Sequence, residues 1–344
     1  MIDGHNDLPW AIRRRSGCDL SQVDLAGSMP AFNTDIPRLR AGGVTGQFWS
    51  VYVPQSFSGA TAVTAVLEQI DVVHRLVGLY PDVFALVRTA EDLDRAREQG
   101  LIASLLGMEG GHSIDGSLGV LRMVFALGVR YMTLSHNSNV EWVDSATDNP
   151  VLGGLSPFGE QVVAEMNSLG MLVDLSHVSA EVMRHTVRIC SAPVIFSHSG
   201  ARAITDVPRN VPDDVLESLR RNGGVCMVPF VPELISEACA STHQERTAGD
   251  GSAYDSPGIT IPEAGIDDVV DHIEHIKEVA GVAHVGIGGD YDGGSPMPTD
   301  LPDVSAYPRV FTALRSRGWP ESELELLASG NTLRVLREAE ESAR

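Results

Sequence analysis

His5 and Asp7 stand two apart in 3-DGHND-7, and side chains two apart on a strand project to the same side. The pair can offer a divalent cation one nitrogen and one oxygen, or simply hydrogen-bond to each other. Further along, 107-GMEGGHS-113 ends an apolar run on Glu109. A carboxylate without a partner there is strongly disfavoured, whereas one shared between two cations, or paired with an arginine, is not. The runs 172-LVDLSH-177 and 194-VIFSH-198 both stop at Ser-His. Neighbouring strands run about 4.8 Å apart, so His177 and His198 at matching ends can reach one ion.

These five residues make up two sites that share a carboxylate: His5, Asp7 and Glu109 in one, and Glu109, His177 and His198 in the other. Imidazole and carboxylate donors suit two zinc ions, with manganese, cobalt and iron also open on ligand type. Such a pair holds a bridging water as hydroxide, a nucleophile at neutral pH. No Ser/His/Asp triad is then needed, because Ser135, Ser176 and Ser197, though adjacent to histidines, are expected on the opposite strand face. His136, in 131-YMTLSH-136, is surplus to the ligand set and suits hydrogen bonding to a developing oxyanion. Asp290, in 286-GIGGDYDGG-294, suits a general acid/base, with Asp292 as a rival on the same side. Arg209, in 208-PRNVPDDV-215, suits a clamp on a substrate carboxylate or a surface ion pair.

Positioning these groups requires elements whose ends converge. Strand-like runs at 2–7, 46–53, 103–109, 131–136, 172–177, 193–198, 224–230 and 284–290 alternate with amphipathic stretches at 61–80, 118–128, 160–170, 180–189, 213–223 and 267–281. Eight such repeats, six of them ending in a polar residue (Asp7, Glu109, His136, His177, His198 and Asp290), fit an α/β (β/α)8 TIM barrel, where strand ends meet at one mouth. An open sheet would spread them along an edge. A short run at 83–88 is expected to add a strand or hairpin, and 305–318, 321–330 and 331–341 to form C-terminal closing helices. Residues 1–344 are read as one domain, and the polar segment 236–262 as a long loop that is either a lid or a disordered excursion.

Composition narrows the function. With 46 acidic against 25 basic residues, the net charge is −21, which disfavours a phosphate-binding surface and so nucleic acid. The four cysteines are scattered with no CxxC pair, as reduced thiols are. No apolar run approaches the roughly 18 residues of a membrane span. The expectation is a cytoplasmic protein with no membrane and no nucleic-acid partner.

The motifs DGHNDLPW, EGGHSI, RYMTLSHNSN, DLSH, FSHSGAR, RNVPDDVL and GIGGDYDG, in this order and with the tail NTLRV, resemble the membrane (renal) dipeptidase family of binuclear zinc peptidases. The resemblance spans nearly the whole chain. It implies a zinc dipeptidase acting on small dipeptides, L-Xaa-D-Xaa included, and usually a homodimer. Position by position it implies His5 and Asp7 on one zinc, Glu109 bridging, His177 and His198 on the other, His136 and Arg209 on substrate, and Asp290 as proton shuttle. The single lysine, Lys277, lies in a helical stretch, so a carbamylated lysine bridge is not expected. The segment 227–236 and the loop after it match the family loosely, which leaves side-chain preference open. The alternatives are a related binuclear hydrolase of lactams, N-acyl amino acids or esters, and a metal-binding scaffold without activity.

Overall fold

The structure, a computed structural model, describes residues 1–247, 262–294 and 296–343. Nine strands form one parallel sheet: β1 (Ile2–Asn6), β2 (Gly46–Ser50), β3 (Phe84–Leu86), β4 (Ile102–Glu109), β5 (Val129–Thr133), β6 (Leu172–Asp174), β7 (Val194–Phe196), β8 (Val225–Val228) and β9 (Val285–Ile287). Their order is β1-β2-β4-β5-β6-β7-β8-β9, with β3 attached to β4. The sheet curls until its last edge meets its first. Asn6 and Tyr291 form a parallel bridge, the Asp290 amide donates to the His5 carbonyl at 3.1 Å, and the Asp7 amide donates to the Tyr291 carbonyl at 2.9 Å. This is an eight-stranded parallel barrel with alternating helices, as expected from the repeat pattern.

Period-two alternation separates the two strand faces. Ile2, Phe48, Leu105, Tyr131, Leu172, Ile195 and Met227 point into the barrel and cluster with Leu333, Val335 and Leu336 of the helix Asn331–Ser342. That helix seals the floor, so the final closing helix does what its position implied. The other strand face, including Trp49, Leu106, Met132, Val173, Val194 and Val228, packs against the helical ring. One glycine is required inside: a Cβ on Gly107 would lie 2.0 Å from the Tyr131 ring. Tyr131 therefore crosses the interior only because position 107 has no side chain.

The extra segment at 83–88 is a strand, not a hairpin. Phe84–Leu86 pair parallel with Ile102–Ser104, below the stretch of β4 that pairs with β5. The expected strands are shorter than their apolar runs. β5, β6, β7 and β9 end at Thr133, Asp174, Phe196 and Ile287, so His136, His177, His198 and Asp290 lie just beyond them, not on the last strand residues, although single backbone hydrogen bonds run on, as from the Leu175 amide to the Ile195 carbonyl at 2.8 Å and from the Ser199 amide to the Met227 carbonyl at 2.9 Å. The region 236–262 is helical from Glu237 to Thr247, and its residues 248–261 lie outside the described set, which leaves the expectation of a lid or disordered loop there without a structural counterpart. All four cysteines are free, and no helix among the described residues is long and apolar enough to cross a membrane.

Candidate active site

Glu109 ends β4 at the centre of the mouth, and its two oxygens face two different sets of imidazoles. Oε2 lies 3.5 Å from His5 Nε2, while Oε1 lies 3.0 Å from His177 Nε2 and 3.4 Å from His198 Nε2. Asp7 Oδ2 is 3.4 Å from His5 Nε2, and Asp290 Oδ1 is 3.9 Å from the same atom. The sequence-predicted ligand set, five residues drawn from four separate segments, is thus brought into one cluster. Ligand atoms of His5, Glu109 and His198, of Glu109, His136 and His177, and of His5, Asp7 and Asp290 each fall within 4.8 Å of one another.

Each of the three central imidazoles is held by its other nitrogen. His5 Nδ1 is 2.8 Å from the Tyr131 hydroxyl, which donates its own hydrogen to the Gly4 carbonyl at 3.2 Å. His177 Nδ1 is 3.1 Å from Asn137 Oδ1, and His198 Nδ1 is 2.8 Å from Ser197 Oγ. All three Nε2 atoms consequently converge on Glu109. His177 Nε2 and His198 Nε2 are only 2.9 Å apart, and His5 Nε2 and Asp7 Oδ1 are buried without a hydrogen-bond partner. Converging imidazole nitrogens and carboxylate oxygens fit divalent cations, which resolve the mutual repulsion of such a set.

Electrostatics support that fit. Burial works to raise the Glu109 carboxyl, but the imidazoles of His5 and His177 outweigh it and hold it well below the usual range. Burial and the Arg209 guanidinium push His177 well down, and burial with His5 and Arg209 does the same to His198, leaving both as neutral donors. At His5 burial lowers the pKa, but Tyr131, Glu109 and Asp7 outweigh it and raise it well above normal. A setting that draws a proton to His5 also draws a cation.

Backbone strain marks the same residues. His177 and Asp290 have φ of 69° and 60°, the left-handed region in which a side chain costs about 1 kcal/mol or more. At His177 the surroundings offset this: its carbonyl accepts from the Ala146 amide at 2.7 Å and its ring Nδ1 donates to Asn137 Oδ1 at 3.1 Å. The mouth opens into a cavity of about 1010 Å³ lined by Asp7, Glu109, His136, His177, Arg209 and Asp290. Asp292, the rival to Asp290, does not line it. Its carboxylate accepts from the Asn33 amide at 2.7 Å, because the left-handed turns at 290 and 292 aim the two side chains apart.

His136 is 3.9 Å from Glu109 Oε1 and stacks between Tyr52 and His177, at centroid distances of 4.8 and 4.2 Å. Burial lowers its pKa. Arg209 is buried and pairs with no carboxylate among the described residues. It reaches only Ser199 Oγ at 3.4 Å and the His198 carbonyl at 3.5 Å, so the surface ion-pair alternative does not hold. Its loop is fixed from below by His272, whose Nδ1 accepts from the Ala201 amide at 2.8 Å.

Several contributors escaped sequence reading: Tyr131, Asn137, Asp174, and the serine beside His198. Ser197 was set aside because neighbours on a strand face apart, yet past the end of β7 its hydroxyl contacts its own neighbour's ring. The repeated Ser-His pairs were the available signal.

A family model for membrane dipeptidases, peptidase family M19, matches residues 1–344. The chain belongs to that family. Dipeptidase 3 of Mus musculus is 41% identical over 346 residues, covering 99% of this chain and 64% of the mouse protein, and Dipeptidase 3 of Homo sapiens is 41% identical over 345 residues, covering 99% and 65%. The chain thus spans less than two thirds of the length of these curated relatives. Among solved structures, dipeptidase AC, described as a metallo peptidase of family M19, is 25% identical with a TM-score of 0.83, covering 98% of each chain. A metallo peptidase from Rhodobacter sphaeroides, solved with a phosphinate mimic of the dipeptide L-Ala-D-Ala, shares the fold at 24% identity and a TM-score of 0.84, again covering 98% of each chain.

Proposed function

We propose that this M19 chain is a zinc-dependent dipeptidase that hydrolyses the single peptide bond of small dipeptides, L-Xaa-D-Xaa dipeptides included. The observation that carries the proposal is the division of Glu109: one oxygen toward His5, the other toward His177 and His198, in a cavity that the buried Arg209 also lines. Two zinc ions are assigned, one to His5, Asp7 and Glu109 and one to Glu109, His177 and His198. When bound, they supply Lewis-acid activation of water and of the scissile carbonyl.

The chain's own residues account for the other requirements. Arg209, pushed down to about 10 by burial, is still cationic at neutral pH and suits the substrate's free carboxylate. His136, kept neutral by burial, can donate a hydrogen bond to the carbonyl oxygen as it gains charge. Burial, then Asp7 and Glu109, hold the Asp290 carboxyl well above the usual range, so it can carry a proton and deliver it to the departing amine.

The cavity also favours a zwitterion. Besides Arg209 the cavity is lined by Asp148, a carboxylate outside the metal-binding and proton-transfer groups, which suits a free ammonium and disfavours an N-acyl group. Beside Arg209, Val207, Val231, Leu234 and Ala240 form a small apolar cluster on the cavity wall, suited to an apolar C-terminal side chain. A panel of L,L and L,D dipeptides, with N-acetylated counterparts, tests this. Zinc-dependent cleavage of free dipeptides, abolished by a chelator, is expected. Cleavage of only the acylated compounds or lactams would replace this reading with the general amidohydrolase one.

A further inference from the structure

Beneath His198, inside the barrel, Asp174 is fully buried and accepts four hydrogen bonds. Oδ1 takes the amides of Ser176 at 3.1 Å and Ser197 at 2.8 Å, and Oδ2 takes the hydroxyls of Thr133 at 2.5 Å and Ser197 at 2.6 Å. A carboxylate only accepts, so the one hydroxyl hydrogen of Ser197 is committed to Asp174. Toward His198 Nδ1, 2.8 Å away, the Ser197 oxygen can then only accept. The other neighbour of that hydroxyl, Ser176 Oγ, is 3.5 Å away and already accepts from the His198 amide at 3.0 Å.

We propose that Asp174, acting through the Ser197 hydroxyl, is a positioning residue that fixes His198 as the Nδ1–H tautomer and so keeps Nε2 bare for the cation shared with His177 and Glu109. The direction of two hydrogen bonds decides whether His198 can be a ligand. The inference rests on the cation sites of the proposed function, but not on the substrate.

Asparagine at 174 reverses the relay. The amides of Ser176 and Ser197 hold the side-chain oxygen on their side, which turns the NH2 group toward Thr133 and Ser197. Ser197 then accepts from that NH2, its hydrogen turns to His198 Nδ1, and the imidazole proton moves to Nε2, where it blocks the ligand position. The His5 relay differs. Tyr131 ends on the Gly4 carbonyl, a backbone acceptor that no side-chain change can reverse.

The experiment is a zinc titration of the full chain against a chromophoric chelator, for wild type, Asp174→Asn and Ser197→Ala, together with the ¹⁵N-histidine spectrum of the metal-free proteins. Wild type is expected to bind two cations, and Asp174→Asn to bind one with unchanged affinity and the other about 10–100-fold more weakly. One imidazole should move from the Nδ1–H to the Nε2–H pattern. If Asp174→Asn does not fold, Ser197→Ala carries the test through the same selective loss. Two cations bound at wild-type affinity by both variants, equal weakening of both sites, or an unchanged histidine spectrum would overturn the proposal. Because the readout is cation affinity, a chain that binds two zinc ions yet cleaves no dipeptide would sink the functional reading alone.

Discussion

At the floor of the barrel Leu172, Ile195 and Tyr131 point inward, and two residues later on the same strands the inward positions are Asp174, Ser197 and Thr133. Below that level the interior is closed by Leu333 and Leu336. Above it come imidazoles and carboxylates that would repel one another without a cation. One turn of the period-two pattern separates a packed core from a reactive site. Groups that stabilise the barrel and groups that could do chemistry are therefore different residues on shared strands, and each set should be removable without the other.

Glu109→Gln gives the largest expected effect at the mouth. Losing the shared carboxylate should lower dipeptide kcat/KM by about 10³-fold or more, several kcal/mol of transition-state stabilisation. Zinc content measured on the same sample should fall, with little change in the denaturation midpoint. At the floor, Leu336→Ala should do the reverse. The buried side chain leaves a cavity costing about 2–5 kcal/mol in urea unfolding, with kcat/KM unchanged once the variant is folded. Comparable losses in both properties for either variant would break the separation.

His272 lies between the two regimes, under the loop that carries Arg209. Its pKa is lowered to about 4, by burial first, from an ordinary 6.5. As pH falls the unfolded chain takes up this proton before the folded one does. The stability is thus complete above about pH 6.5 and is lost progressively toward pH 4, by up to about 3 kcal/mol. Urea midpoints at pH 7 and pH 4.5 should show that decline, and His272→Gln should flatten it. The smallest effect is expected at Arg209. Arg209→Ala should reduce kcat/KM by about 30-fold, near 2 kcal/mol, chiefly through KM, for dipeptides with a free carboxylate. Dipeptide amides should be almost indifferent to it.

The barrel and the cluster were legible in the sequence because period-two and helical repeats locate strand ends, and strand ends in this architecture converge. Five ligand-type residues in four separate segments could thus be assembled on paper. What was not legible depends on backbone departures from the ideal strand. Asp290 and Asp292 look equivalent at a spacing of two, and only their left-handed turns send one to the cavity and the other to Asn33. Ser197 looked irrelevant because adjacent strand residues face apart, yet its hydroxyl lies 2.8 Å from Nδ1 of its own neighbour His198. Tyr131 carried no signal alone, but its reach into the interior depends on Gly107 one strand away, a relation between segments that no local pattern contains.

The bridge between Asn6 and Tyr291 joins the first strand to the last across nearly the entire polypeptide. His5 and Asp7 stand on one lip of that seam and Asp290 on the other. Until the ninth strand docks, neither the closed cylinder nor the Asp290 carboxyl group beside His5 is in place. The imidazoles and carboxylates at this lip are therefore brought face to face only when the two extremities of the sheet meet.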